Sequence, residues 1–239
     1  MRRTAGKISN LWQAGWTGRA GEDGRGRGVT MAIGRDMAVL AAAYLTGCFL
    51  TGYYLVLARS GEDVRTRGSG SAGARNVARL MGTQGFVLTF LGDCAKGALV
   101  VVAAQKLGLH PGGVMLALLA VVVGHIWPVQ LRFHGGKGIA TALGALLVFD
   151  YRLVLVVAGI TGLVYCRARR FTPSGLLAFA LCPVAAALLG HPPVVVLGTG
   201  ALAGLLLIAH RENLYAMVSG RRNSADATGA APDTSGEGT

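Results

Sequence analysis

Charged residues are scarce in this sequence. Asp, Glu, Lys and Arg make up 14% of its 239 residues, where a soluble globular domain carries about a quarter, so a water-soluble fold is a poor reading. Cysteine is sparse as well. Cys48, Cys94, Cys166 and Cys182 are scattered through apolar segments with no C-x-x-C spacing, which indicates neither a disulfide framework nor a zinc site and leaves them as small buried hydrophobes. No metal or cofactor is implied. The net charge of +12 raises nucleic acid as a partner, but the cations fall in short clusters at the ends of apolar runs, without an aromatic-interleaved groove pattern. Cations so placed orient helices in a membrane, and no nucleic-acid partner is expected.

What the sequence does have is apolar length. Hydrophobic residues make up 52% of it, in stretches of roughly 17–25 residues that recur between Met37 and Ala209, each able to cross about 30 Å of hydrocarbon. Subtracting them leaves no room for a second sizeable domain. The expectation is a single all-α, polytopic integral membrane domain over residues 34–221. Residues 1–33 are rich in Gly and Arg and contain Trp12 and Trp16 but no long apolar run, so they read as a disordered basic extension and not as a signal peptide. Residues 222–239 read as a disordered tail.

Helices are expected at about 35–58, 85–106, 112–131, 138–149, 151–167, 174–189 and 193–209. The alternative for 138–167 is one long helix through Phe149, Asp150, Tyr151 and Arg152. Charge decides. With the split, the segments holding Arg65, Arg67, Arg75 and Arg79, then Arg132 and Lys137, then Arg167, Arg169 and Arg170, then Arg211, Arg221 and Arg222, all face one side. The connections near 107–112 and 190–193 are nearly free of cations. Seven transmembrane helices, with the N-terminus outside and the C-terminus cytoplasmic, then satisfy the positive-inside rule. The cations before residue 30 oppose that orientation, so translation is expected to begin at Met31, or the extension to be dispensable.

Three polar motifs fall on the cytoplasmic face of this topology. The first runs from Gly68 through Ser69, Gly70, Ser71, Ala72, Gly73, Ala74, Arg75 and Asn76 to Arg79. The second is Phe133-His134-Gly135-Gly136-Lys137-Gly138, and the third is His210-Arg211-Glu212-Asn213. Glycine permits positive φ and close backbone approach, successive N–H groups make an anion nest, and a nearby Lys or Arg neutralises phosphate. Gly68, Gly70 and Gly73 match G-x-G-x-x-G without the strand and βαβ unit of a dinucleotide fold, and the Lys137 loop lacks the Ser/Thr of a Walker motif. The bland alternative is that the glycines only make turns and the cations only orient helices.

Asp93 and Lys96 sit three apart within an apolar helix and can pair, either at a functional site or as a structural ion pair. His125 lies near a helix end and reads as structural.

Taken together, these motifs resemble the bacterial acyl-phosphate-dependent glycerol-3-phosphate acyltransferases, the PlsY family. The resemblance spans Gly68–Asn76 with Arg79, Gly92-Asp93 with Lys96-Gly97, Gly135 through Thr141, and His210 to Asn213, in order over about residues 40–220. Departures are Ser71 and Arg75, where the family usually has Asn and Thr, and Gly47-Cys48-Phe49-Leu50 in place of G-S-I-P. The resemblance implies seven helices in a bacterial cytoplasmic membrane, an active site on the cytoplasmic face, and acyl transfer from acyl phosphate to the 1-hydroxyl of glycerol 3-phosphate. The products would be lysophosphatidic acid and phosphate. Membrane lipid is the only other partner implied, and a single copy is expected to act.

In that reading Lys137, with the Gly135, Gly136 and Gly138 backbone and Thr141, binds one phosphate. Ser69, Asn76 and Arg79, with Gly68, Gly70 and Arg75, bind the other phosphate or the glycerol hydroxyls. His210 and Asn213 complete the site, His210 as general base unless the leaving phosphate takes the proton. Asp93, Lys96 and Glu212 support it. The competing readings are a small-anion or phospholipid transporter and an inactive lipid-binding relative.

Overall fold

The computed structural model describes residues 25–219, with side chains from Ile33 onward except Val218. Every regular element among the described residues is helical: α1 Arg25–Cys48, α2 Thr51–Ser60, α3 Ala74–Lys106, α4 Pro111–Ile126, α5 Ile139–Ala168, α6 Phe171–Ala180, α7 Cys182–Leu188, α8 Pro193–Ala209 and α9 Arg211–Val218, with 3-10 turns at Val64–Thr66 and Val129–Leu131. The chain divides at Ala38. The first unit contributes the opening of α1, where Arg35 Nη2 meets Asp36 Oδ1 at 2.8 Å. The second, from Val39 on, is the helix bundle. Residues 1–24 and the expected tail at 222–239 lie outside the described residues.

Among the described residues, Ile33–Ser60, Ala74–Lys106, Pro111–Leu131 and Ile139–Ala168 are long and apolar enough to cross a bilayer, and two bent pairs, α6 with α7 and α8 with α9, meet the same test together. Apolar side chains cover the outside of the bundle, as at Leu163, Leu188 and Leu197, all at least 74% exposed. Small residues fill its contacts. A Cβ at Gly47 would run into the Val121 carbonyl and one at Gly124 into the Tyr44 carbonyl; Gly97 and Gly144 stand in the same relation to Thr141 and Cys94. Without a hydrophobic force between helices in lipid, such backbone-to-backbone approach is how they associate. Three of the four cysteines are at least partly buried, but Cys166 is exposed.

Helix ends follow local chemistry. α4 stops at Ile126, short of the expected 131, because Pro128 disfavours helix in the residue before it. α3 starts at Ala74 rather than 85, with a break at Gly82 (φ 63). Residues 74–81 are helical because Val77 and Met81 pack on a small cluster with Leu50, Val56, Val64, Ala72 and Leu131. Arg75, Asn76 and Arg79 therefore sit on a helical turn and not in an open loop. The first expected helix is likewise broken at Phe49 and Leu50, α1 begins at Arg25 instead of about 35, and α9 extends the last motif at a 64° bend from α8.

Straight, the 30 residues of α5 would hold their ends about 45 Å apart. Instead Asp150 leaves helical geometry at φ −157, ψ 106, and groups flanking both ends converge on Arg75. Its Nη1 donates to Thr172 Oγ1 at 2.5 Å, and its charge acts on Lys137. The chain therefore folds back at Asp150, whose carboxylate takes Nε2–H of His191 at 2.9 Å and the Arg152 guanidinium at 2.6 Å. The bundle consequently has two poles. Asp150 and His191 mark one, near Gly112 and Val194, which are neighbours. The other gathers 63–79, 131–138, 170–172 and 210–213.

Candidate active site

The first loop is built around Asn76. Its Oδ1 accepts the Ser69 N–H at 2.9 Å and Arg79 Nη1 at 3.3 Å, while its Nδ2 donates to the Val64 and Arg67 carbonyls at 3.0 Å. Asn76 is buried and its amide is fully engaged, so it shapes the loop instead of touching a ligand. Gly68 (φ 57) and Gly70 (φ 67) take left-handed turns that other residues adopt only with strain. The result is an exposed Ser69 beside the Arg79 guanidinium.

The second loop departs from expectation. The Gly135 and Gly136 N–H groups donate to the Ile126 and His125 carbonyls at 3.1 and 3.0 Å, so they are not anion donors; they pin the loop to the end of α4. Gly136 lies so close on the His125 ring that a Cβ would overlap Nε2. What the loop presents is Lys137, followed by Gly138 (φ 85) capping α5. The first-turn N–H groups of α5 have no intrahelical acceptor. Thr141 is not presented. It is wholly buried, with Oγ1 unpaired among the described residues.

The third motif closes the site. Lys137 Nζ donates to Asn213 Oδ1 at 3.0 Å, across the α8–α9 bend. Burial pushes the Lys137 ammonium below its ordinary pKa; Glu212 opposes this and the Arg75 and Arg79 charges add to it. His210, just past the end of α8, is buried, with Nδ1 2.8 Å from the Leu206 carbonyl. A carbonyl only accepts, so Nδ1 carries the hydrogen and Nε2 is the free acceptor. Burial, with Lys137 and Arg75 nearby, brings this imidazole down to about 4, against the opposing Leu206 bond. Three cations from two segments, Arg75 and Arg79 at the start of α3 and Lys137 in the second loop, are thus collected around Glu212, an arrangement suited to a multiply charged anion.

Asp93 and Lys96 do pair, at 3.0 Å, behind the Lys137 loop, which packs on the other side of the His125 ring. Lys96 Nζ donates to the carbonyls of Gly47 (3.2 Å) and Phe49 (2.6 Å) freed by the α1–α2 break, and sits 2.8 Å from His125 Nδ1. Thr51 Oγ1 donates to Asp93 Oδ1 at 3.2 Å. The cluster satisfies irregular backbone inside the bundle, the structural role the sequence allowed. Sequence reasoning passed over Arg65, Asp63 and Thr172. Asp63-x-Arg65 was a legible local pair, but Arg65 was counted only as an orienting cation; Thr172 carries no signal of its own.

An all-helical, glycine-packed bundle with helices long and apolar enough to cross a bilayer defines a polytopic membrane protein, here with cations gathered at one pole. Residues 37–220 match the model of the glycerol-3-phosphate acyltransferase family. Curated relatives include glycerol-3-phosphate acyltransferase 1 of Desulfitobacterium hafniense, 42% identical over 77% of this chain and 91% of that protein. Another is glycerol-3-phosphate acyltransferase 1 of Bacillus cereus, 43% identical over 72% and 95%. Among solved structures, the glycerol 3-phosphate form of PlsY (YgiH), an integral membrane glycerol 3-phosphate acyltransferase, superposes with a TM-score of 0.73 at 28% identity. It covers 82% of this chain and 100% of that one. The lysophosphatidic acid form gives 0.71 over 79% and 94%. The chain belongs to the glycerol-3-phosphate acyltransferase family.

Proposed function

We propose that this membrane glycerol-3-phosphate acyltransferase uses acyl phosphate as donor and acylates the 1-hydroxyl, acting as a single copy at the cytoplasmic face of a bacterial inner membrane. The observation that carries the reading is Lys137 held on Asn213 within reach of the Arg75 and Arg79 charges, a compact site for phosphate. Cations gathered at the pole opposite Asp150 and His191 support this facing, and the break at Asp150 supports a reading of seven spans.

In this mechanism Ser69 and Arg79 hold one phosphoryl group, and Lys137 with the α5 first turn holds the other. The hydroxyl oxygen attacks the acyl carbonyl carbon, the bond from that carbon to the phosphate oxygen breaks, and the proton ends on the departing phosphate. The phosphate leaving an acyl phosphate is a strong base, whereas burial and the Lys137 and Arg75 charges disfavour a proton on His210. Its Nε2 orients the hydroxyl instead. Acyl phosphate is already an activated anhydride, so no nucleophilic side chain is needed and the protein contributes alignment and charge stabilisation. Purified protein supplied with acyl phosphate and glycerol 3-phosphate is expected to release phosphate and form lysophosphatidate in equal amounts; phosphate release without acyl transfer would contradict this.

A further inference from the structure

The two phosphate-holding loops are separate in sequence and must be in register for the hydroxyl to meet the acyl carbon. One side chain spans them. Arg65 Nη1 donates to the Leu131 carbonyl at 2.8 Å and to the His134 carbonyl at 3.0 Å. On its other edge, Nη2 and Nε grip the Asp63 carboxylate at 2.6 and 3.0 Å, and the guanidinium lies 5.2 Å from the centre of the Tyr53 ring. The two carbonyls bracket Arg132 (φ 54) and Phe133 (φ 60), consecutive non-glycine residues in the left-handed region. Such a conformation persists only where its surroundings over-determine it. Gly135, Gly136 and Lys137 follow directly, and the Ala72 N–H donates to the Gly135 carbonyl at 3.3 Å, a second link between the loops.

We propose that Arg65 is a positioning residue for acyl transfer, fixing the Lys137 loop in register with the Ser69–Arg79 loop by holding the strained Arg132–Phe133 turn from both sides. The assignment rests on the reading that these two loops hold the two phosphoryl groups. Asp63 serves Arg65 in turn. The guanidinium keeps the Asp63 carboxyl below its usual range against the opposing effect of burial, so the fork is fixed in one orientation. A lysine has one ammonium and no fork, and cannot reach two carbonyls and a carboxylate with this geometry.

The experiment measures kcat and KM for glycerol 3-phosphate, with melting temperature, for wild type, Arg65→Ala, Arg65→Lys, Lys137→Ala and the Arg65→Ala/Lys137→Ala double variant. Each loop keeps its own phosphate contacts when Arg65 is lost, so KM is expected to move less than threefold. Relative placement is lost, and kcat is expected to fall roughly 10²-fold, the order that a misplacement of about 1 Å can produce. Arg65→Lys should not rescue, and adding Arg65→Ala to Lys137→Ala should lower the residual rate less than threefold further. Arg67→Ala, at an exposed Arg–Glu62 pair, is the control for lost surface charge. Near-wild-type kcat in Arg65→Lys, a change confined to KM, or a fully multiplicative loss in the double variant would each overturn the proposal. If Arg65→Ala does not fold, Arg65→Lys alone decides. Lys137→Ala at wild-type rate would instead overturn the reading of the site itself.

Discussion

Lys137 and Asn213, 76 residues apart in sequence, meet at 3.0 Å between Nζ and Oδ1. The contact joins the loop that opens α5 to the bend that closes α8, and it aims the ammonium into the cationic pole.

Lys137→Ala should lower the rate by about 10²–10³, the range for losing a charge-stabilising donor in a transition state, while the protein still inserts and melts near the wild-type temperature. Lys137→Arg should rescue poorly, since a planar fork does not replace a compact ammonium. Asn213→Ala leaves the ammonium in place without its partner, and the expected loss is smaller, roughly tenfold. Rates with melting curves check all three.

The same lysine predicts the alkaline limb of the pH profile. Its ammonium is needed charged, and burial with the Arg75 and Arg79 charges lowers its pKa. The limb in kcat/KM, which reports the free enzyme, should therefore appear below the ordinary lysine range near ~10.4. Arg75→Thr removes a like charge and should move the limb up; Glu212→Gln removes the opposing charge and should move it down. An unmoved limb in both variants would assign it to another group.

Inside the bundle, Lys96→Met should destabilise strongly. It strands the buried Asp93 carboxylate and leaves the Gly47 and Phe49 carbonyls unsatisfied, and breaking a buried pair from one side costs about 3–5 kcal/mol. The double change Asp93→Asn/Lys96→Met should recover part of this, because the residues couple. Thermal unfolding in detergent measures both.

Much of the architecture was legible in the sequence because apolar length and one-sided cations are strong signals. Cation placement and helix parity put a break at residue 150, where the backbone leaves helical geometry. The interior breaks were not legible. Phe49 and Leu50 carry no glycine or proline, and their break is stabilised by a lysine 47 residues beyond Phe49. The motifs do gather at one pole, but their pattern did not tell presented side chains from scaffold. Asn76, Gly135 and Gly136 are consumed by backbone bonds, and Thr141 is buried, facts that only the partners' positions reveal. Arg65 escaped because its acceptors in the second loop are main-chain carbonyls, which leave no mark in a sequence pattern.

Topology can be checked by labelling single cysteines in a background lacking Cys48, Cys94, Cys166 and Cys182. Positions Arg67, His134 and Glu212 should react from the cytoplasm, and Gly190 from outside. Reaction of 67 and 212 from opposite sides would remove the fold-back at Asp150 from the membrane topology.

If a compact phosphate site holds the donor, acyl transfer by the purified protein from three donors to radiolabelled glycerol 3-phosphate tests it directly. Acyl phosphate should give labelled lysophosphatidate with one phosphate released per turnover, and acyl-coenzyme A and acyl-carrier protein should give none. Equal rates from acyl-coenzyme A, or anion flux in liposomes without any acyl transfer, would contradict the account.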